Sequence, residues 1–178
     1  QKNKTDFHNK VKESWKITLI DTGQETQTAG RLLRVKDYLD DEPFMFTYGD
    51  GLANVNITKL LENHKESNMD VTLTAVQPPG RYGSLILKDS LVTNFQEKPQ
   101  GDKAWINGGF FVINPNAIDL IKKDSESWES DILPILAKNN RINAYFHNDF
   151  WLPMDTLRDK NRLIELWINK TAPWKVWD

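Results

Sequence analysis

The sequence has no cysteine among its 178 residues. This absence excludes disulfides, thiolate zinc sites and a cysteine nucleophile, and it is typical of proteins from a reducing cytoplasm. No apolar run approaches the roughly 18 residues that a membrane-spanning helix needs. Neither sign of charge dominates, because 23 lysines and arginines stand against 25 aspartates and glutamates. We therefore expect a cytoplasmic protein that binds neither a membrane nor a nucleic acid.

The length fits a single domain over residues 1–178, with enough chain to bury a sizeable core. Runs rich in β-branched and aromatic residues predict strands at 15–20, 44–48, 70–77, 84–88, 91–96, 106–113 and 142–147. Helical patterns cover 30–39 and 156–168, and two more helices are expected to start at Asn56 and Asn114. The order of elements predicts an α/β fold with a mixed sheet and an antiparallel hairpin insertion.

Two aspartates follow predicted strands or precede predicted helices. Asp50 comes after the apolar run FMFTY, within Gly49-Asp50-Gly51, where it could form a turn or face a ligand at the end of a strand. Asp155, in WLPMDT, is a natural N-cap for the helix that follows. Two carboxylates at the ends of elements are also the hard oxygen ligands that a nucleotide-bound magnesium ion takes from a protein. The residues alone leave both alternatives open.

Other charged loops allow similar pairs of interpretations. The small residues Ala29-Gly30 could bring backbone amides close to a phosphate at a helix N-terminus, with Arg31 donating to phosphate or sugar oxygens, or could simply begin a helix. Glu97 and Lys98 are expected to point in different directions from a strand end. They could meet sugar hydroxyls and a phosphate respectively, or remain a solvated charge pair.

The histidines and tryptophans are weaker indicators of function than the charged loops. His8, His64 and His147 have no metal-ligand spacing, and His64 is expected to pack on its helix. Three of the seven tryptophans crowd the last dozen residues, at Trp167, Trp174 and Trp177. Tryptophan is enriched at protein interfaces, so this segment either docks on a partner subunit or folds over the protein's own core.

Taken together, the loops resemble the sugar-1-phosphate nucleotidyltransferases, and most closely the branch that transfers cytidylyl groups to glucose 1-phosphate. The resemblance covers nearly the whole chain and rests on the segments LIDTG, GRLLRV, FTYGDG, TLTAVQPPGRYGSL, FQEKPQGDKAWINGGFFVINP, WLPMDTLRDK and APWKVW. It implies a Rossmann-like fold of the nucleotide-diphospho-sugar transferase type. It also implies an enzyme that makes CDP-glucose and pyrophosphate from CTP and glucose 1-phosphate for dideoxy-sugar and O-antigen synthesis.

The resemblance also implies roles for individual residues. Asp50 and Asp155 match the catalytic aspartates that bind Mg²⁺, and Thr26, Arg31 and Gly49 match residues around the nucleotide. The residues that match the surroundings of the sugar and its phosphate are Tyr82, Gly83, Glu97, Lys98, Asn107 and Gly108.

One departure from the family concerns its glycine-rich nucleotide loop, of the type G-G-x-G-T-R-L, which the sequence does not contain. We therefore expect the chain to correspond to the C-terminal portion of such an enzyme, incomplete at its N-terminus. As an isolated fragment it is expected to be inactive and to form homo-oligomers. Two alternatives remain: a non-catalytic sugar-phosphate-binding or assembly fragment, and a sibling transferase that uses UTP or dTTP.

Overall fold

The computed structural model describes residues 15–78, 84–97 and 104–177. The predicted site residues Tyr82, Gly83 and Lys98, together with His8, lie outside the described residues. The strands are β1 (Phe44–Thr47), β2 (Gly51–Ala53), β3 (Val71–Val76), β4 (Ser84–Lys88), β5 (Leu91–Gln96), β6 (Ile106–Ile113), β7 (Ile142–His147) and β8 (Trp151–Pro153). The α-helices are α1 (Thr28–Arg34), α2 (Ile57–Ser67), α3 (Leu133–Lys138) and α4 (Leu157–Ile168).

Four strands form the central sheet in the order β1-β6-β3-β7. Strand β6 runs antiparallel to both β1 and β3, whereas β3 and β7 are parallel. Parallel neighbours need a crossover connection, and the chain between β6 and β7 supplies helical turns at Pro115–Leu120 and Trp128–Ile132, followed by α3. The predicted mixed α/β sheet is confirmed.

The predicted hairpin is also confirmed. Strands β4 and β5 pair antiparallel with each other and with no other strand that the structure describes. Asp89 turns the chain with a φ of 52°, a left-handed conformation that aspartate tolerates better than most residues. The hairpin therefore extends from the domain with its apolar side chains exposed.

Two helix starts were predictable from local chemistry. Asn56 caps α2, since its side chain accepts a hydrogen bond of 2.9 Å from the N–H of Lys59. The N-cap of α4 is Thr156, which forms a capping box with Asp159. The apolar residues Leu157, Ile164 and Trp167, which contribute to the helical pattern at 156–168, are exposed, whereas Leu163 and Leu166 face the core.

The strand predicted at 15–20 is absent, and the segment has no regular structure. Its alternating side chains Trp15, Ile17 and Leu19 are exposed, and no described strand lies beside it to supply hydrogen bonds. The sequence patterns also missed β2, β8 and α3, which are only 3, 3 and 6 residues long. None of the described helices is long and apolar enough to cross a membrane.

The main core lies where one face of the central sheet meets α1, α3 and the π-helical turn at Trp128–Ile132. Trp128 is fully buried, and its ring meets those of Phe46 and Phe111 edge to face at centroid distances of 6.3 Å. This packing fixes the turn that carries Trp128 against β1 and β6. A residue beside Trp128 can therefore reach the carboxyl end of β1, where Asp50 follows.

Candidate functional site

The two predicted metal ligands are brought together by the short antiparallel pair β2 and β8. Gly51 lies opposite Pro153 in this pair, and the N–H of Met154 donates to the carbonyl of Asp50 at 2.8 Å. Asp50 and Asp155 consequently occupy adjacent strand ends although they are far apart in the chain. Both residues are exposed, so their carboxylates are accessible to a ligand.

The alternative role of Asp155 as a helix cap is excluded. Thr156 is the N-cap of α4, and its hydroxyl accepts from the N–H of Asp159 at 3.2 Å. Gly49, beside Asp50, is equally uncommitted to packing, because a Cβ added there would meet no atom within 4 Å. The space beside Gly49 is therefore open, and Asp155 is exposed.

This donor set fits a magnesium ion. The described residues contain no cluster of three or more histidine, cysteine, aspartate or glutamate side chains that could hold a metal by themselves. Mg²⁺ is commonly held by one or two carboxylates while phosphates and waters complete its shell. The open pair Asp50 and Asp155 has that composition.

Thr26 and Arg31, the predicted nucleotide contacts, lie on either side of the start of α1. Thr26 is buried. The guanidinium of Arg31 donates to the Thr22 hydroxyl at 2.7 Å and to the Gln24 carbonyl at 3.2 Å. Arg31 thus fastens the loop before α1, and its role toward a nucleotide stays a prediction.

The interpretation of Ala29-Gly30 as a close approach to phosphate is wrong. The N–H of Ala29 donates to the carbonyl of Glu126 at 3.1 Å, and that of Gly30 lies 3.4 Å from the same oxygen. A Cβ at Gly30 would lie 2.3 Å from the backbone oxygen of Asp124. The small residues serve close packing of α1 on the 124–126 segment, and their amides are occupied within the protein.

The residues Asn107-Gly108-Gly109, two of them predicted to surround the sugar, lie beside the strands that lead to the two aspartates. The indole N–H of Trp151, on β8, donates to the carbonyl of Gly108 at 2.8 Å. The N–H of Tyr48 donates to the carbonyl of Gly109 at 3.1 Å. Through these two hydrogen bonds, β6 contacts both β8, which leads to Asp155, and the end of β1, which leads to Asp50.

Both glycines are required by packing. A Cβ at Gly108 would lie 2.8 Å from the side chain of Val76 and 3.0 Å from the carbonyl of Thr74, on β3. Gly109 has a φ of +77°, and a Cβ there would lie 2.6 Å from the Tyr48 ring. Gly108 therefore has a structural role, whether or not it also contacts a sugar. Glu97 follows β5 on the exposed hairpin, and its role toward a sugar stays a prediction.

The sequence patterns missed Glu129, which contacts the start of α1 and the end of β1 as well as Ser127 beside it. It accepts hydrogen bonds from the hydroxyls of Thr28 at 2.7 Å, Ser127 at 3.0 Å and Tyr48. Burial acts to raise the pKa of Glu129, but the hydrogen bonds from Tyr48 and Thr28 outweigh it and hold that pKa below its ordinary value. No sequence spacing signals this contact, since Thr28 precedes Glu129 by 101 residues.

The two histidines that the structure describes, His64 and His147, both make hydrogen bonds within the fold. His64 is buried, with its ring nitrogens 2.9 Å from the Thr72 hydroxyl and 3.1 Å from the Asn114 side-chain oxygen. His147 donates to the carbonyl of Phe150 at 3.0 Å. Both are satisfied within the fold, as predicted for His64.

The C-terminal tryptophans divide between the two predicted alternatives. Trp174 is buried and packs on Phe150 at a ring-centroid distance of 5.5 Å. Trp167 and Trp177 are about half exposed. The tail folds over its own core through one tryptophan, and docking of the other two on a partner stays a prediction.

Comparisons with known proteins assign the family. A sequence model described as Nucleotidyl transferase matches residues 1–165. The chain is 50% identical to the glucose-1-phosphate cytidylyltransferase of Salmonella typhimurium over 177 residues, 99% of this chain and 69% of that protein. It is 29% identical to mannose-1-phosphate guanylyltransferase 1 of Arabidopsis thaliana over 96% of this chain and 50% of that protein. The resemblance inferred from the loops is confirmed.

A solved structure agrees on the fold. HddC from Yersinia pseudotuberculosis superposes with a TM-score of 0.60 at 22% identity, over 81% of this chain and 64% of that one. The chain thus spans roughly two thirds of the length of the Salmonella enzyme and of the HddC chain. The match over residues 1–165 and the identity to the Salmonella enzyme show that this chain belongs to the nucleotidyl transferase family.

Proposed function

We propose that the complete gene product carrying this chain transfers a cytidylyl group from CTP to glucose 1-phosphate, yielding CDP-glucose and pyrophosphate. The observation that carries the proposal is the 50% identity to the Salmonella glucose-1-phosphate cytidylyltransferase over 177 residues. The pairing of β2 with β8 supports it, because it places two exposed carboxylates at one edge of the fold. A dideoxy-sugar pathway for surface polysaccharide is the setting that we propose for the product.

In the proposed reaction, a phosphate oxygen of glucose 1-phosphate attacks the α-phosphorus of CTP. A new P–O bond forms, the bond between the α- and β-phosphates breaks, and pyrophosphate leaves. Catalysis of this type depends on positioning and charge neutralisation and requires no protein nucleophile. The absence of cysteine is compatible with such chemistry.

Each part of the site has a role in this proposal. Asp50 and Asp155 hold Mg²⁺, which supplies charge neutralisation for the phosphates when bound. Arg31, Thr26 and Gly49 surround the nucleotide. The residues proposed to surround the sugar and its phosphate are Glu97, Asn107, Gly108, Tyr82, Gly83 and Lys98. We further propose a cytoplasmic homo-oligomer.

The test compares nucleotides in the complete gene product. The protein is incubated with glucose 1-phosphate, magnesium and CTP, UTP, dTTP or GTP in parallel, and the sugar nucleotides are separated by chromatography. We expect CDP-glucose to form with a kcat/KM for CTP at least 100-fold above that for the other nucleotides. Dominant turnover of UTP or dTTP would identify a sibling transferase. Binding of glucose 1-phosphate without turnover of any nucleotide would indicate a non-catalytic protein.

A further inference from the structure

The hydrogen bonds around Tyr48 form a chain with a fixed direction. A carboxylate can only accept, so the hydroxyl of Tyr48 must donate its proton to Glu129. The lone pairs of that hydroxyl are then left to accept, and the Nδ2 group of Asn107 donates to them at 3.1 Å. Because the ionised Glu129 can only accept, the Tyr48 hydroxyl is free to accept from Asn107. The Nδ2 end of the Asn107 amide, and not its Oδ1 end, therefore faces Tyr48.

The chain continues beyond Asn107. With its Nδ2 directed to Tyr48, the Oδ1 atom of Asn107 accepts from the N–H of Gly109 at 2.9 Å. Gly109 returns the contact through its carbonyl, which accepts from the N–H of Tyr48 at 3.1 Å. Three hydrogen bonds among Tyr48, Asn107 and Gly109 thus close a ring between the end of β1 and β6.

The ring is enclosed by packing. The Tyr48 aromatic ring meets Phe46 and Phe111 edge to face at 5.9 Å and 5.6 Å. It also lies against Gly109, where a Cβ would approach it within 2.6 Å. The packed ring therefore fixes where the Tyr48 hydroxyl meets Glu129 and Asn107.

From this geometry we propose that Tyr48 and Glu129 are positioning residues that hold the Asp50 loop and the Asn107 amide in a fixed relation. Asp50 is two residues beyond Tyr48, and Asn107 bonds directly to the Tyr48 hydroxyl. The pair would align the metal ligand with the sugar-phosphate side of the site without touching either substrate. The inference rests on the proposed function for the roles of Asp50 and Asn107, whereas the hydrogen-bond chain stands on the structure.

The test uses Tyr48→Phe, Glu129→Gln and the double variant in the complete gene product. We expect each single variant to lower kcat/KM for glucose 1-phosphate about 10-fold, while the KM for CTP changes less than twofold. The double variant should lose about the same 10-fold, because both substitutions break one chain and coupled residues are not additive. A 100-fold loss in the double variant, or an equal rise in the KM for CTP, would overturn the proposal.

Two matched controls separate the chain from general effects. Tyr145→Phe removes the hydroxyl of another half-buried tyrosine, on β7. Glu126→Gln alters a carboxylate that accepts from the N–H groups of Lys122 and Lys123, away from the hydrogen bonds around Tyr48. Both should keep kcat/KM within twofold of wild type. A loss in either control equal to that of Tyr48→Phe would assign the effect to general destabilisation.

A second measurement needs no turnover. Hydrogen exchange, followed by mass spectrometry without substrates, should be faster in peptides covering 46–52 and 105–111 for Tyr48→Phe and Glu129→Gln, and unchanged there for the controls. Unchanged exchange in the two variants would overturn the proposal. If wild-type protein turns over a nucleotide other than CTP, the proposed function fails and the kinetics are repeated with that nucleotide. If it turns over none, exchange alone decides the proposal.

Discussion

Asp50 and Met154 are joined by a backbone hydrogen bond of 2.8 Å, from the Met154 N–H to the Asp50 carbonyl. It extends the β2–β8 pairing by one position and places Asp155 immediately beyond it. Because the bond uses only backbone atoms, both carboxylates stay available. Substitution of either carboxylate should therefore leave the strand pairing intact.

We expect Asp50→Asn or Asp155→Asn to lower kcat at least 100-fold in the complete gene product. The loss corresponds to about 2.7 kcal/mol, the usual size for removing one preorganised electrostatic contact. Thermal unfolding should shift little. Asp89→Asn is the control, since this residue turns the exposed hairpin with a φ of 52°, which asparagine also adopts. Near-normal turnover of Asp50→Asn or Asp155→Asn at limiting magnesium would remove that residue from the metal site.

Glu97→Gln preserves shape but removes a charged acceptor, and a hydrogen bond to a charged group contributes about 1.5–3 kcal/mol. We expect the KM for glucose 1-phosphate to rise about 10-fold or more and the KM for CTP to stay within twofold. Steady-state kinetics with each substrate varied in turn measures this difference. Glu66→Gln, an exposed residue of α2, is the control and should change neither constant. An effect confined to CTP would contradict the sugar-pocket assignment.

Local chemistry accounts for the parts of the fold that the sequence predicted. Asn56 and the apolar residues after it define the start of α2 within a few residues, and the run of apolar and aromatic residues in β6 identifies a strand that is buried over most of its length. Segment 15–20 has a similar strand pattern but no described partner strand, so propensity alone did not produce a strand. Tertiary pairing decides such segments.

The candidate site likewise has parts that the sequence indicated and parts that it did not. The exposed position of Asp50 after a strand was predictable, because an apolar run ends before an Asp-Gly turn, and its role as a metal ligand stays a prediction. Glu129 was not predictable, because its partners Thr28 and Tyr48 precede it by 101 and 81 residues. Nor does the pattern of α4 reveal that its more exposed face carries Trp167. Contacts over such separations follow from the fold and have no sequence period.

Substitutions at Gly30 and Gly49 distinguish a role in packing from a role in ligand access. Gly30→Ala places a Cβ 2.3 Å from the backbone oxygen of Asp124, which cannot rotate away. We expect the free energy of unfolding to fall by about 1–3 kcal/mol, as for other overpacked sites. Gly49→Ala meets no atom within 4 Å, so its stability should change by less than about 0.5 kcal/mol.

Relative to the stability that each substitution costs, Gly49→Ala should lower activity more than Gly30→Ala. A Cβ at position 49 occupies space beside Asp50, so Gly49→Ala should lower kcat/KM although the protein remains as stable as wild type. Urea unfolding and steady-state kinetics of both variants provide the comparison. Full activity in Gly49→Ala would show that no ligand approaches the Gly49 backbone closely. Unchanged stability in Gly30→Ala would show that α1 can move away from Asp124.

Asp70 links stability to pH. Its carboxylate accepts from the guanidinium of Arg141 and from the side-chain amide of Asn116 at 2.7 Å. Burial acts to raise the pKa of Asp70, but the hydrogen bonds from Arg141 and Asn116, with the charges of Arg141 and His64, outweigh it and lower that pKa. The ionised carboxylate is therefore more favourable in the folded than in the unfolded protein.

The sign of the pH dependence follows from this lowered pKa. Stability from Asp70 is fully present above the unfolded pKa of about 3.9 and is lost as pH falls through the lower folded value. At pH 7, Asp70→Asn should reduce the free energy of unfolding by about 1–3 kcal/mol, since it weakens two hydrogen bonds and leaves Arg141 without its partner. Urea unfolding from pH 7 to pH 3 should show the gap between wild type and variant narrowing below about pH 4. The exposed-turn variant Asp89→Asn should show no gap at any pH, and a constant gap for Asp70→Asn would mean that shape rather than charge stabilises this position.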